Sequence, residues 1–239
     1  MKGHILSISN LPNGHPEIFT SLQGEGPSYG WPSIFIRLAY CNLHCMWCDT
    51  KYTWDWKYYE RKLEVAEISV AEVEENLDVL TIDNLVVTGG EPLLQQEALA
   101  LLLAGQKGKG RRIEIETNGT ITPERNLDMA VEQWNVSPKL ANSGEPESRR
   151  IVDTALWWFR ENPKACFKFV IQSDDDIVEV ERLVKRIRFP RSRCFLMPEA
   201  SDAEMLKKRG PRIVEYCVKF GFRCSPRLQV EKWGGTRGR

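Results

Sequence analysis

Long apolar runs are missing from this chain. No stretch reaches the ~18 consecutive apolar residues of a membrane-spanning helix, so no membrane association is expected. An excess of either charge is missing too: 33 Lys and Arg balance 33 Asp and Glu. That balance gives no general pull toward nucleic acid or an anionic lipid surface. The N-terminal "MKGHILSISNLPNGHPEIF" lacks a continuous apolar segment and a small-residue cleavage site, so no secretory signal is expected and a cytoplasmic location is. Seven cysteines, an odd number with three clustered, do not make a disulfide framework. Repeats, low-complexity tracts and linkers are also absent, and 239 residues fit a single domain spanning 1–239.

What is present reads as an alternation of strands and helices. Apolar residues make up 42% of the chain, enough for a sizeable core. Strands are expected at 33–40, 84–90, 111–119, 134–139, 166–172 and 193–199. Helices are expected at 69–80, 93–106 with Gly105 near its stop, 149–162, 174–188, and 202–220 with an interruption or kink at Gly210-Pro211. Such alternation predicts an α/β fold with a mostly parallel sheet. About six strands are too few for a closed eight-stranded barrel, so an open, partial parallel β/α barrel is expected. Polar motifs follow the strands: "CNLHCMWCDT", "TGGEP", "ETNGT", "SPK", "QSDDD" and "MPEAS". Parallel sheets place their sites at the carboxyl edge, so one site should gather these scattered segments.

The most informative of them is the loop at 41–50. Cys41, Cys45 and Cys48 form CxxxCxxC. Structural zinc wants four ligands, and His44 is too close to Cys45 to be an easy fourth. Cys166, Cys194, Cys217 and Cys224 show no paired spacing. A [4Fe–4S] cluster on three thiolates leaves one iron open. Three ordinary core thiols are the bland alternative.

CxxxCxxC with an aromatic residue before the last cysteine resembles the signature of the radical S-adenosylmethionine (SAM) enzymes. The wider pattern "FTSLQGEG", "FIRLAYC", "WCDT", "TGGEP", "ETNGT", "SPK" and "SPRLQVEKWGGTRGR" resembles one branch, the 7-carboxy-7-deazaguanine synthases. That resemblance implies the radical SAM type of partial barrel, a [4Fe–4S] cluster on Cys41, Cys45 and Cys48, and SAM chelated at the free iron. It implies a lyase that contracts the ring of 6-carboxy-5,6,7,8-tetrahydropterin to 7-carboxy-7-deazaguanine with loss of ammonia. The route leads to queuosine-type 7-deazapurines. It further implies Mg²⁺, an electron donor such as flavodoxin or ferredoxin, and a homodimer. A glycyl-radical activase and a zinc-stabilised binding module are the competing readings.

Residue roles follow from the same resemblance. SAM is expected at Trp47, Cys48, Asp49, Gly90, Glu91, Ser137, Pro138, Lys139, Gln172 and Asp175. The pterin is expected at Leu22, Gln23, Gly24, Glu25, Arg37 and Thr88, with Arg37 on the substrate carboxylate and Thr50 on Mg²⁺. Read alone, Arg37 is a charge on a strand, and Asp174 to Asp176 are acids at a helix start. The ending departs from the family pattern: Gln229 stands where a histidine is common, and "GGTRGR" replaces a small or apolar last residue. Arg239 is left out of the expected site.

Overall fold

The computed structural model describes residues 4–239. Its strands are β1 (Ile5–Ser9), β2 (Ile18–Leu22), β3 (Pro32–Leu38), β4 (Val65–Ser69), β5 (Asn84–Gly89), β6 (Arg112–Thr117), β7 (Gln133–Val136), β8 (Ala165–Ile171), β9 (Cys194–Pro198) and β10 (Arg223–Cys224). They form one sheet in the order β10-β9-β8-β7-β6-β5-β3-β1-β4, with β2 paired to β3 off that path. Every neighbouring pair from β3 to β10 is parallel. Strands β1, β2 and β4 add antiparallel pairs beyond β3. The sheet does not close, and the open barrel expected from the sequence is what forms.

The helices are α1 (Arg61–Glu64), α2 (Val70–Asp78), α3 (Gln96–Gly108), α4 (Arg125–Ala130), α5 (Glu147–Arg150), α6 (Asp153–Glu161), α7 (Asp174–Ile187), α8 (Ala203–Phe220) and α9 (Leu228–Trp233). Strand alternation explains how they pack. Ile34, Ile36, Val87, Ile115, Trp134, Phe167 and Phe169 join Val73, Leu102, Phe159 and Val180 of the helices in one core. Fully burying one such side chain is worth about 2 kcal/mol. The alternate positions hold Arg37, Thr88, Glu116, Asn135 and Lys168, which line the inside of the barrel. The same period that builds the core therefore builds a polar interior.

Some elements differ from expectation. Strands β1, β2 and β4 and helix α9 were not legible. The single helix expected at 149–162 is α5 and α6, separated where Ile151 and Val152 are extended. The break sets Arg150 inward, where it donates to Glu145 O at 3.1 Å, Lys139 O at 3.0 Å and Glu179 Oε1 at 2.6 Å. Gly105 lies in the last turn of α3, near its stop as expected. It sits within the helix opposite Glu74, and the chain turns at Gly110, whose φ is +89°. Helix α8 runs through Pro211 without interruption and is capped by Asp202, which accepts from Met205 N at 2.8 Å.

Candidate active site

A cavity of about 250 Å³ opens among the loops that follow the parallel strands. Cys41, Cys45 and Cys48 all line it, and none is disulfide-bonded. Leu43 N lies 3.5 Å from Cys41 Sγ, and Trp54 Nε1 lies 3.4 Å from Cys48 Sγ, both as donors. Donors of this kind tune a thiolate-held cluster. Burial pushes the Cys41 thiol up to about 12 and raises that of Cys45. Ionised ligands at these positions therefore need a metal's charge beside them. His44 does not line the cavity; its ring stacks on Trp54 at 4.7 Å. Among the described residues, no three His, Cys, Asp or Glu side chains converge as a single-ion site needs. Three free thiols on one cavity are the donor set a [4Fe–4S] cluster with one iron left to another ligand takes.

Two glycines let the cysteine loop leave β3. Gly89 has φ +123°, and a Cβ there would collide with the backbone of Leu38. A Cβ on Gly90 would run into the Tyr40 carbonyl. Gly90 N donates to Leu38 O at 2.9 Å, and Glu91 N to Tyr40 O at 2.8 Å. Tyr40 itself has φ +70°, uncommon for a bulky residue. "TGG" thus clamps β5 against the root of the loop.

The opposite wall is ionic. Glu25 is buried and paired with Lys168. Its Oε1 accepts from Arg227 Nε at 3.1 Å and from Gln229 Nε2 at 2.5 Å. Burial alone would raise this carboxyl, but Lys168 and Arg227 together hold it down at about 2. Lys168 is likewise kept protonated against burial by Glu116 and Glu25. Glu116 accepts from Thr88 Oγ1 at 2.8 Å and from Gln23 Nε2 at 3.4 Å. Arg37 donates through Nε to Glu17 Oε1 at 2.9 Å, and its two terminal nitrogens have no partner among the described residues. The "QGEG" turn is sewn to the chain's end: Leu228 N donates to Gly24 O at 3.1 Å, and Gly26 N to Ser225 Oγ at 2.9 Å. A Cβ on Gly24 would strike the Gln229 side chain.

The Radical SAM superfamily model matches residues 35–139, from the strand before the cysteines to "SPK". A 7-carboxy-7-deazaguanine synthase from Pyrobaculum aerophilum is 41% identical over 225 residues, covering 93% of this chain and 96% of that protein. This chain belongs to the 7-carboxy-7-deazaguanine synthase family. A synthase of the same name from Hyperthermus butylicus is 36% identical and covers 90% of both chains. The crystal structure of QueE from Escherichia coli is similar at a TM-score of 0.70 with 26% identity, covering 92% of this chain and 93% of that one. These matches leave the glycyl-radical activase and the zinc-stabilised module without support.

Most residues expected for a 7-carboxy-7-deazaguanine synthase meet in the one cavity. Leu22, Gln23, Gly24, Glu25, Arg37 and Thr88 line it, as do Trp47, Cys48, Asp49, Thr50, Gly90, Ser137 and Lys139. Lys139 Nζ donates to Ser137 Oγ at 3.0 Å and lies 5.3 Å from the centre of the Trp47 ring. Four expected residues are elsewhere. Glu91 is fully buried, and its carboxylate accepts from Leu93 N at 2.9 Å, Thr117 Oγ1 at 2.8 Å and Asn118 N at 2.7 Å. It ties the β5 turn to β6 and has no face on the cavity. Pro138 is buried outside the lining. Gln172 and Asp175 are exposed at the start of α7, outside the lining; neighbouring Asp176 supplies the capping box. Sequence reading passed over Glu116, Asn135, Lys168 and Arg227 as site residues and left Arg239 out, yet all five line the cavity. A lysine at the centre of "CFKFVI" was the available signal, because an otherwise apolar buried strand has no solvent face for it.

Proposed function

We propose that this enzyme converts 6-carboxy-5,6,7,8-tetrahydropterin to 7-carboxy-7-deazaguanine with loss of ammonia. One observation carries the reading: the three-cysteine loop and an ionic, hydrogen-bonding wall face the same cavity. When bound, the [4Fe–4S] cluster and SAM supply the one-electron cleavage that starts the reaction. Cys41, Cys45 and Cys48 hold the cluster. Trp47, Asp49, Gly90, Ser137 and Lys139 hold SAM, with the Lys139 ammonium offered to its carboxylate. Gln172 and Asp175 belong to this set only if bound SAM extends toward the start of α7.

The remaining lining residues hold the pterin. Leu22 and Gly24 cover one side of it. Arg37 presents its free guanidinium edge to the substrate carboxylate, for which a planar fork is suited. Glu25, kept ionised, is acceptor-only and faces the N–H edge of the bicyclic ring together with Gln23 and Glu116. Gln229 donates through Nε2 to Glu25 Oε1 at 2.5 Å and so fixes that carboxylate. Thr88 fixes Glu116. Thr50 would offer its hydroxyl to Mg²⁺, an oxygen-seeking ion that would supply positive charge beside the substrate. Lys168 holds its proton at Nζ between Glu25 and Glu116, so this wall stays charged while water is displaced.

The same reading takes residues 1–239 as one catalytic domain, working in the cytoplasm as a homodimer with a flavodoxin or ferredoxin as electron donor. Among the described residues, no helix is long and apolar enough to cross a membrane. The direct test is anaerobic incubation of reconstituted enzyme with SAM, reductant, Mg²⁺ and the carboxypterin. The expected product has the mass of 7-carboxy-7-deazaguanine. Substrate recovered unchanged from cluster-replete enzyme contradicts the reading.

A further inference from the structure

Arg37 is aimed by a residue that does not line the cavity. Glu17 lies at the start of β2's segment, fully buried and absent from the lining. Its Oε1 accepts from Arg37 Nε at 2.9 Å, and its backbone oxygen accepts from Arg37 N at 3.1 Å. Tyr52 OH donates to the same carboxylate, 2.9 Å from Oε2 and 3.2 Å from Oε1. The far side of the Tyr52 ring is covered by the C-terminal tail: the Arg237 guanidinium lies 3.4 Å from the ring centre and is held on Glu64 at 2.6 Å. Glu64, Arg237, Tyr52, Glu17 and Arg37 are therefore linked from the tail to the cavity.

We propose that Glu17, fixed by Tyr52 beneath Arg237, is the positioning residue that turns Arg37 into a carboxylate clamp. Occupying Nε leaves the two terminal nitrogens of the guanidinium for the cavity, the paired edge a carboxylate accepts. Without Glu17 the side chain is free to turn toward Asp49, the other carboxylate whose charge acts on it. The tail then has a role despite its atypical sequence: Arg237, which itself lines the cavity, also packs on Tyr52. This inference rests on the pterin carboxylate being the ligand of Arg37.

The test compares 6-carboxypterin with pterin, binding each to cluster-reconstituted, SAM-loaded protein by calorimetry. The unaltered enzyme is expected to prefer the carboxylated ligand. Glu17→Gln should lose roughly tenfold or more in 6-carboxypterin affinity, as expected when a charge-assisted hydrogen bond is lost, with pterin affinity unchanged. Tyr52→Phe keeps the ring under Arg237 and removes one hydroxyl, so it is a second probe should Glu17→Gln fold poorly. It should lose roughly threefold on 6-carboxypterin alone. Retained preference in both variants, or equal weakening of both ligands, overturns the positioning role. An unaltered enzyme with no preference for the carboxylated ligand overturns the substrate reading and this inference with it.

Discussion

Asp49, the residue directly after the third cysteine of the loop, accepts a hydrogen bond of 2.6 Å from Arg227 Nη2. The same guanidinium holds Glu25 through Nε at 3.1 Å and Ala200 O through Nη1 at 2.7 Å. One arginine near the end of the chain thus joins the cysteine loop, the "QGEG" turn and the loop after β9.

Removing Arg227 should therefore loosen all three at once. Its side chain is 9% exposed, and Arg227→Met leaves Glu25 with one cation fewer. Breaking a buried pair from one side is costly, and a loss of about 3 kcal/mol in urea denaturation is expected. Arg227→Lys should recover only part of it, because a single ammonium cannot reproduce the forked contacts.

Glu25 also predicts an acid dependence. Its carboxyl sits near 2 in the folded chain against a usual 4.5, so folding favours the ionised form. That stabilisation is complete above pH 4.5 and drains away as pH falls toward 2. A shift of this size corresponds to about 3 kcal/mol. Urea denaturation at pH 6 and pH 3 should show the stability gap between the unaltered chain and Glu25→Gln shrinking toward low pH.

Glu91 gives a prediction of the opposite kind, since its carboxylate serves the fold and not the cavity. Glu91→Gln places an amide where either the Asn118 N–H or the Thr117 hydroxyl needs an acceptor. About 2 kcal/mol of stability should be lost. SAM affinity of the folded, reconstituted variant should stay within about twofold of the unaltered enzyme, as expected for a residue making no ligand contact. A selective loss of SAM binding at full stability would return Glu91 to the site.

The parallel strands and the cysteine loop were legible because their signals are local: apolar runs ending in glycine or cysteine, and fixed thiol spacing. The antiparallel β1, β2 and β4 were not, because short strands beyond the barrel mix exposed and buried positions without clean alternation. The ionic wall was legible only in part. Glu25 belonged to a motif, but its partners Lys168 and Arg227 lie 143 and 202 residues away and meet it only through topology. Gln172 and Asp175 lie outside the cavity lining; an acid-rich helix start looks the same whether it caps a helix or binds a ribose, and here Asp176 makes the cap.

Cluster assembly should fail when any one of the three cysteines is lost. In Cys45→Ala two thiolates remain, fewer than a stable cluster with one open iron uses. Iron and sulfide analysis after anaerobic reconstitution should find little of either, with absorption near ~400 nm and turnover lost together. Arg37→Ala should keep its iron and lose substrate affinity instead.

The central claim, a ring contraction that expels the pterin's nitrogen, is tested most directly by counting ammonia. Reconstituted enzyme given reductant, SAM, Mg²⁺ and 6-carboxy-5,6,7,8-tetrahydropterin should release one ammonia per 7-carboxy-7-deazaguanine formed, with SAM recovered intact. Consumption of the pterin without ammonia, or consumption of SAM in step with product, would contradict the account.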